Sequence, residues 1–125
     1  MTRAGIISDT HGYLNPEIIG FLKETDMIWH AGDAGSIYVL KELEAIKPLR
    51  AVYGNIDGQD IRISYPEIQL FMCEHVKVLM THIGGYPGRY QPWFRKLIES
   101  EQPGLVITGH SHILKVVPDK KHRHL

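Results

Sequence analysis

The chain has 125 residues, 43% hydrophobic and 22% charged, which suits one globular domain with a modest core and excludes a low-complexity or membrane-dominated composition. Lysine plus arginine and aspartate plus glutamate stand at 14 each, so no net field gathers nucleic acid or an anionic membrane surface. The single cysteine, Cys73, excludes an intrachain disulfide, and the apolar stretch near the N-terminus is too short for a signal peptide or a span, so a cytoplasmic protein is expected. Along the chain, RAGIIS (3–8) reads as a buried strand, followed by the loop DTHGYL. Asn15 can cap a helix that Pro16 opens, with Ile18, Ile19 and Leu22 predicted on one face. MIWHA (27–31) is a second predicted strand, and Ser36 can cap a second helix that turns Val39, Leu40 and Leu43 inward. LRAVYG (49–54) is a third strand, and EIQLFMC (67–73) and VKVLMTH (76–82) pair around a turn at Glu74–His75. After the Gly/Pro-rich loop GGYPGRYQP, Pro92 opens a third helix that runs to about Ser100. GLVITG (104–109) and ILKVV (113–117) are the last strands, and residues 117–125 form an irregular tail.

Strands that alternate with helices imply an α/β fold with a largely parallel sheet, to which the pair at 67–82 adds an antiparallel element. The strands at 3–8, 49–54 and 104–109 are almost continuously apolar, as strands covered on both faces should be. In such folds, sites gather beyond the carboxyl ends of the strands.

Five strand ends carry the chemistry. They deliver Asp9 and His11, then Asp33, then Asn55, then His82, then His110 and His112. Each one alone suits a turn residue or an ordinary surface or core histidine. Five coincidences at five equivalent topological places are improbable, and a metal site is the expectation. Carboxylate, amide and imidazole suit divalent transition ions, with manganese favoured and iron, zinc, cobalt or nickel open. Seven candidate ligands are too many for one four-coordinate zinc. They suit two ions about 3.5–4 Å apart that share a carboxylate. Asp33, at a central strand end, is the natural bridge. Such a pair clamps a phosphate ester and makes hydroxide available near neutral pH.

The motifs SDTHG, HAGD, GNID, MTHIGG and GHSH, in this order from Ile6 to His112, resemble those of the calcineurin-like metallophosphoesterases. The likeness is greatest to their small bacterial and archaeal phosphodiesterase branch. The resemblance implies a β-sandwich flanked by helices. It also implies a first metal held by Asp9, His11 and His112 and a second held by Asn55, His82 and His110. Asp33 bridges them, and Asn55 helps to orient the substrate phosphate. The implied activity is metal-dependent hydrolysis of a small-molecule phosphate ester, most specifically a phosphodiester. The alternative is a binding or scaffold role on the same fold, as in a eukaryotic retromer subunit that resembles this branch.

Two departures from the family pattern matter. Many relatives have histidine directly after Gly-Asn, where it protonates the leaving group, and here that position is Ile56. His30 is a weak substitute acid and reads better as a strand-end residue that supports a ligand. Asp57 reads equally as a supporting residue or a turn carboxylate. The second departure is the end of the chain, where PDKKHRHL has no strand pattern although family members continue through further strands. The expected consequence is an exposed sheet edge, with self-association as a homo-oligomer or reduced stability. His122 and His124 read as a solvated basic tail, and Cys73 as a small buried hydrophobe. In the loop before the third helix, Arg89 is a candidate substrate contact, while Trp93 and Phe94 are expected to pack that helix against the core.

Overall fold

A computed structural model of the chain describes residues 2–85 and 89–110. His112, the predicted strand at 113–117 and the tail therefore lie outside the described residues. Six strands and four helices follow in the order β1 (Ala4–Ile7), α1 (Pro16–Leu22), β2 (Met27–His30), α2 (Ile37–Ile46), β3 (Leu49–Ala51), α3 (Gln59–Ser64), β4 (Ile68–Cys73), β5 (Val76–Thr81), α4 (Pro92–Glu101), β6 (Leu105–Thr108).

The strands form two three-stranded sheets, β1-β2-β3 and β4-β5-β6. The first is all parallel, with Ile6 opposite Trp29 and Trp29 opposite Arg50. In the second, β4 runs antiparallel to β5, and β6 runs parallel to β5 with Met80 opposite Ile107. The single largely parallel sheet expected from the alternation of elements is thus divided. The strand at 104–109 joins β5 and not the first three strands.

Side-chain alternation explains how the two sheets meet. Trp29, Val52, Phe71, Val78, Met80 and Ile107 form one buried cluster drawn from both sheets. The Trp29 and Phe71 rings meet edge to face at 5.1 Å across the gap. The opposite face of the first sheet carries Ile28 and Ala51, covered by Leu22 of α1, Val39, Leu40 and Leu43 of α2, and Ile61 of α3. The outer face of the second sheet carries Leu79, covered by Phe94 and Ile98 of α4. The result is helices, sheet, sheet, helix: a β-sandwich flanked by helices. Among the described residues, no helix is long and apolar enough to cross a membrane.

The caps form as their residue types predict. The Asn15 side chain accepts from the Glu17 N–H, and the Ser36 hydroxyl accepts from the Tyr38 N–H. Pro16 and Pro92 open their helices where a missing N–H costs nothing. One facing assignment is corrected: Ile18 is exposed, and Leu14 is buried in its place. Leu14 precedes the cap and Ile19 is the fourth helical residue, and both join the same core. That is the spacing of a hydrophobic staple, which turns the helix on its axis and leaves Ile18 outside.

Candidate metal centre

All the predicted ligands among the described residues lie on the loops that leave the carboxyl ends of β1, β2, β3, β5 and β6. Backbone hydrogen bonds lace these loops together. The N–H groups of Asp9, His11 and Gly12 donate to the carbonyls of Gly32, Asp33 and Ala34. Within the second sheet's loops, the Gly109 N–H donates to the His82 carbonyl, and across the sandwich the His110 N–H donates to Asp9 Oδ2. The site is therefore built from both sheets.

Two groups of donor atoms result. Asp9, His11 and Asp33 form one, and Asp33, His82 and His110 the other, with the donor atoms in each lying within 4.8 Å of one another. Asp33 belongs to both. It is buried, and the Ile56 N–H donates to its Oδ1 at 3.0 Å. Asn55, just before Ile56, is exposed and lines a pocket beside His82.

His82 gives the test of whether these residues fit a metal. Its Nδ1 lies 2.7 Å from the Ala31 carbonyl oxygen. A carbonyl only accepts, so Nδ1 carries the proton and a neutral ring leaves a bare lone pair on Nε2. That Nε2 is buried with no hydrogen bond. It faces Asp33 Oδ2 at 3.1 Å and Asp9 Oδ1 at 3.7 Å. With that ring neutral, three electron-rich atoms converge and repel one another unless a cation stands among them. A separation near 3 Å is also what two ligands about 2.1 Å from one ion have when they subtend a right angle. The residues fit a divalent ion.

The backbone is specialised for this arrangement. Six described residues other than glycine have positive φ, and four of them are Asp9, His11, Asp33 and His110. This left-handed conformation is disfavoured for side-chain-bearing residues and concentrates at functional sites. Two glycines make room. A Cβ on Gly54 would lie 2.0 Å from Asp33 Oδ1, and one on Gly32 would lie 2.6 Å from His82 Nδ1.

Two supports stand behind the donors. The buried Asp57 carboxylate accepts from the N–H groups of Gly35 and Gly54, both at 2.8 Å, and from Ala34 at 3.4 Å. It therefore pins the loop that carries Asp33 to the loop that carries Asn55. His30 is fully buried: the Gly32 N–H donates to its Nδ1, so its Nε2–H donates to Thr10 Oγ1, which donates to the Ala34 carbonyl. Desolvation by burial pushes the His30 pKa down to about 4. A neutral, buried ring with both nitrogens engaged has no proton to offer a leaving group.

Arg89 is exposed in the loop before α4. Sequence reasoning passed over Arg62. This exposed residue lines a pocket of about 210 Å³ whose walls also include Tyr53, Asn55, Glu67 and His82. The only signal in the sequence was its place seven residues after Asn55, on a helix too short to announce itself.

A β-sandwich with metal-fitting loops at one edge defines a class, and comparison with known proteins names it. Residues 2–125 match the family model of the calcineurin-like phosphoesterase superfamily domain, and the chain belongs to that family. It is 32% identical over 113 residues to a probable metallophosphoesterase of Methanothermobacter thermautotrophicus, covering 86% of this chain and 65% of that relative. The chain thus spans less than two thirds of that relative's length. A solved archaeal phosphodiesterase superimposes with a TM-score of 0.70 at 28% identity, covering 94% of this chain and 79% of that one. Vacuolar protein sorting 29 of Cryptosporidium parvum shares the fold, with a TM-score of 0.71 at 20% identity over 93% of this chain and 68% of that one.

Proposed function

We propose that this chain is a phosphodiesterase that works with two divalent ions, Asp33 lying between them. Asp9, His11 and His112 would hold one ion, and Asn55, His82 and His110 the other. The observation that carries this reading is the pair of donor groups that share Asp33, with the lone pair of His82 Nε2 aimed at its carboxylate. When bound, such ions supply Lewis acidity toward phosphoryl oxygens and water. The chain's own residues do the holding. Ala31 sets the His82 tautomer, the Ile56 N–H fixes the Asp33 carboxylate, and Asp57 holds the two loops in register. Asn55, at the edge of the pocket, is placed to donate its amide to a phosphate oxygen.

The side chain after Asn55 is Ile56, 47% exposed, and it has no proton to give. Esters with good leaving groups are therefore the favoured substrates. Manganese is our choice of ion, and iron, zinc, cobalt or nickel also suit this oxygen and nitrogen donor set. We read the chain as one domain, acting in the cytoplasm on a small-molecule ester.

The test is hydrolysis of bis(p-nitrophenyl) phosphate by metal-stripped protein, with and without added Mn²⁺, beside Asp33→Asn. Turnover that needs Mn²⁺ and disappears in the variant is expected. A folded, metal-loaded protein without turnover would move the assignment to a binding role on this fold.

A further inference from the structure

The pocket beside Asn55 and His82 holds a cation that the metal centre does not use. Arg62 Nε donates to the Asp57 carbonyl at 2.7 Å, and its Nη2 makes longer contacts of 3.4 Å to the carbonyls of Gly54 and Asn55. The guanidinium lies over the Tyr53 ring, 4.6 Å from its centroid. Among the described residues, no carboxylate comes within 4.0 Å of it. Glu67, on the pocket wall, is engaged by the Tyr53 hydroxyl at 3.4 Å. One edge of the guanidinium is thus pinned to the Asn55 loop and one face is stacked. The remaining Nη1 donors have no partner of their own and belong to a side chain that lines the pocket.

A guanidinium so fixed is preorganised to bind a planar or tetrahedral anion. The donor groups that would take the reacting phosphate meet at Asp33. Of the donor set, Asn55 and His82 line the pocket, while Asp9, His11, Asp33 and His110 do not, so the pocket opens beside the point where the two donor groups meet. A group that Arg62 holds there would be one attached to a phosphate held at Asp33. We propose that Arg62 anchors a second anionic group on the substrate, a phosphate or a carboxylate carried by one half of the ester. The preferred substrates are then esters with two negative groups. This rests on the phosphodiesterase reading above for the place of the reacting phosphate.

The experiment compares two probes by calorimetry on Mn²⁺-loaded protein: inorganic phosphate, with one anionic centre, and methylenediphosphonate, with two. Wild-type protein is expected to bind the second more tightly by about tenfold or more, from an added charge-assisted contact. Arg62→Gln is expected to erase most of that ratio and Arg62→Lys to keep part of it, with melting temperature and Mn²⁺ stoichiometry recorded for each. A ratio unchanged in Arg62→Gln overturns the proposal, whether both probes weaken together or neither does. The former would mean that Arg62 touches the reacting phosphate or only positions the loop. Wild-type protein that binds neither probe, or both equally, also overturns it. Failure of the phosphodiesterase reading is read separately, as wild-type protein without Mn²⁺ uptake or without turnover of bis(p-nitrophenyl) phosphate.

Discussion

His30 sits at the end of β2 with a backbone N–H on one ring nitrogen and a hydroxyl on the other. Its pKa falls from 6.5 to about 4 because burial disfavours the charged ring. The unfolded chain therefore binds a proton between these values that the folded chain does not. The stabilising contribution is complete above pH 6.5 and is lost as pH falls toward 4. The loss approaches about 3 kcal/mol. Urea denaturation of metal-free protein between pH 7 and pH 4 should show this slope, and His30→Gln should flatten it. Asp57 gives a second prediction at this scale. Asp57→Ala leaves three N–H groups from two loops without their acceptor. A loss of about 3 kcal/mol is expected by the same denaturation assay, with weaker Mn²⁺ binding by calorimetry. Gly54→Ala tests the close approach directly, since its Cβ would lie 2.0 Å from Asp33 Oδ1 and 2.4 Å from the Asp33 backbone nitrogen. The expected outcome is a lower melting temperature together with loss of Mn²⁺ binding by calorimetry.

Elements differ in how plainly they announce themselves. α2 has a capping serine and apolar residues at helical spacing, and all of Val39, Leu40 and Leu43 are buried as that spacing predicts. Removing the cap in Ser36→Ala should cost about 1 kcal/mol. In α4, Phe94 fills the space between helix and sheet, and Phe94→Ala should cost about 3–5 kcal/mol in a thermal melt. Trp93, its neighbour, is 42% exposed, so only one of the two aromatics packs as expected. α3 was invisible in the sequence: it has six residues, and Gly58 caps it without a side-chain hydrogen bond. Its helical form comes from tertiary contacts, chiefly Ile61 in the core and Arg62 on the Asn55 loop. The division into two sheets was hidden from periodicity, which reports which faces are buried and not which strand lies beside which; it came only with the family resemblance. The donor set was legible because chemistry selects residue types at strand ends. Its supports were less so: the buried Asp57 looks like any turn carboxylate until its three donors are seen.

Over the whole molecule, the loops that carry the candidate donors meet at one end of the sandwich. Asp9, His11, Asp33 and Asn55 come from the first sheet's loops, and His82 and His110 from the second's. An ion held by both groups binds the folded chain and not the unfolded one. It should stabilise the fold by about 2.7 kcal/mol at a hundredfold excess over its Kd. Chelation should therefore lower the melting temperature by several degrees. An unchanged melt in protein that had bound Mn²⁺ would argue against a site that spans both sheets.

The four donor residues held at positive φ also make a historical statement possible. Each has a side chain where the backbone alone would favour glycine. A cation bound by these side chains would offset the strain of holding them there. A lineage that kept the fold and abandoned the metal would drift toward glycine or asparagine at positions 9, 11, 33 and 110, its fold no poorer for the change. In this chain those positions read Asp, His, Asp and His.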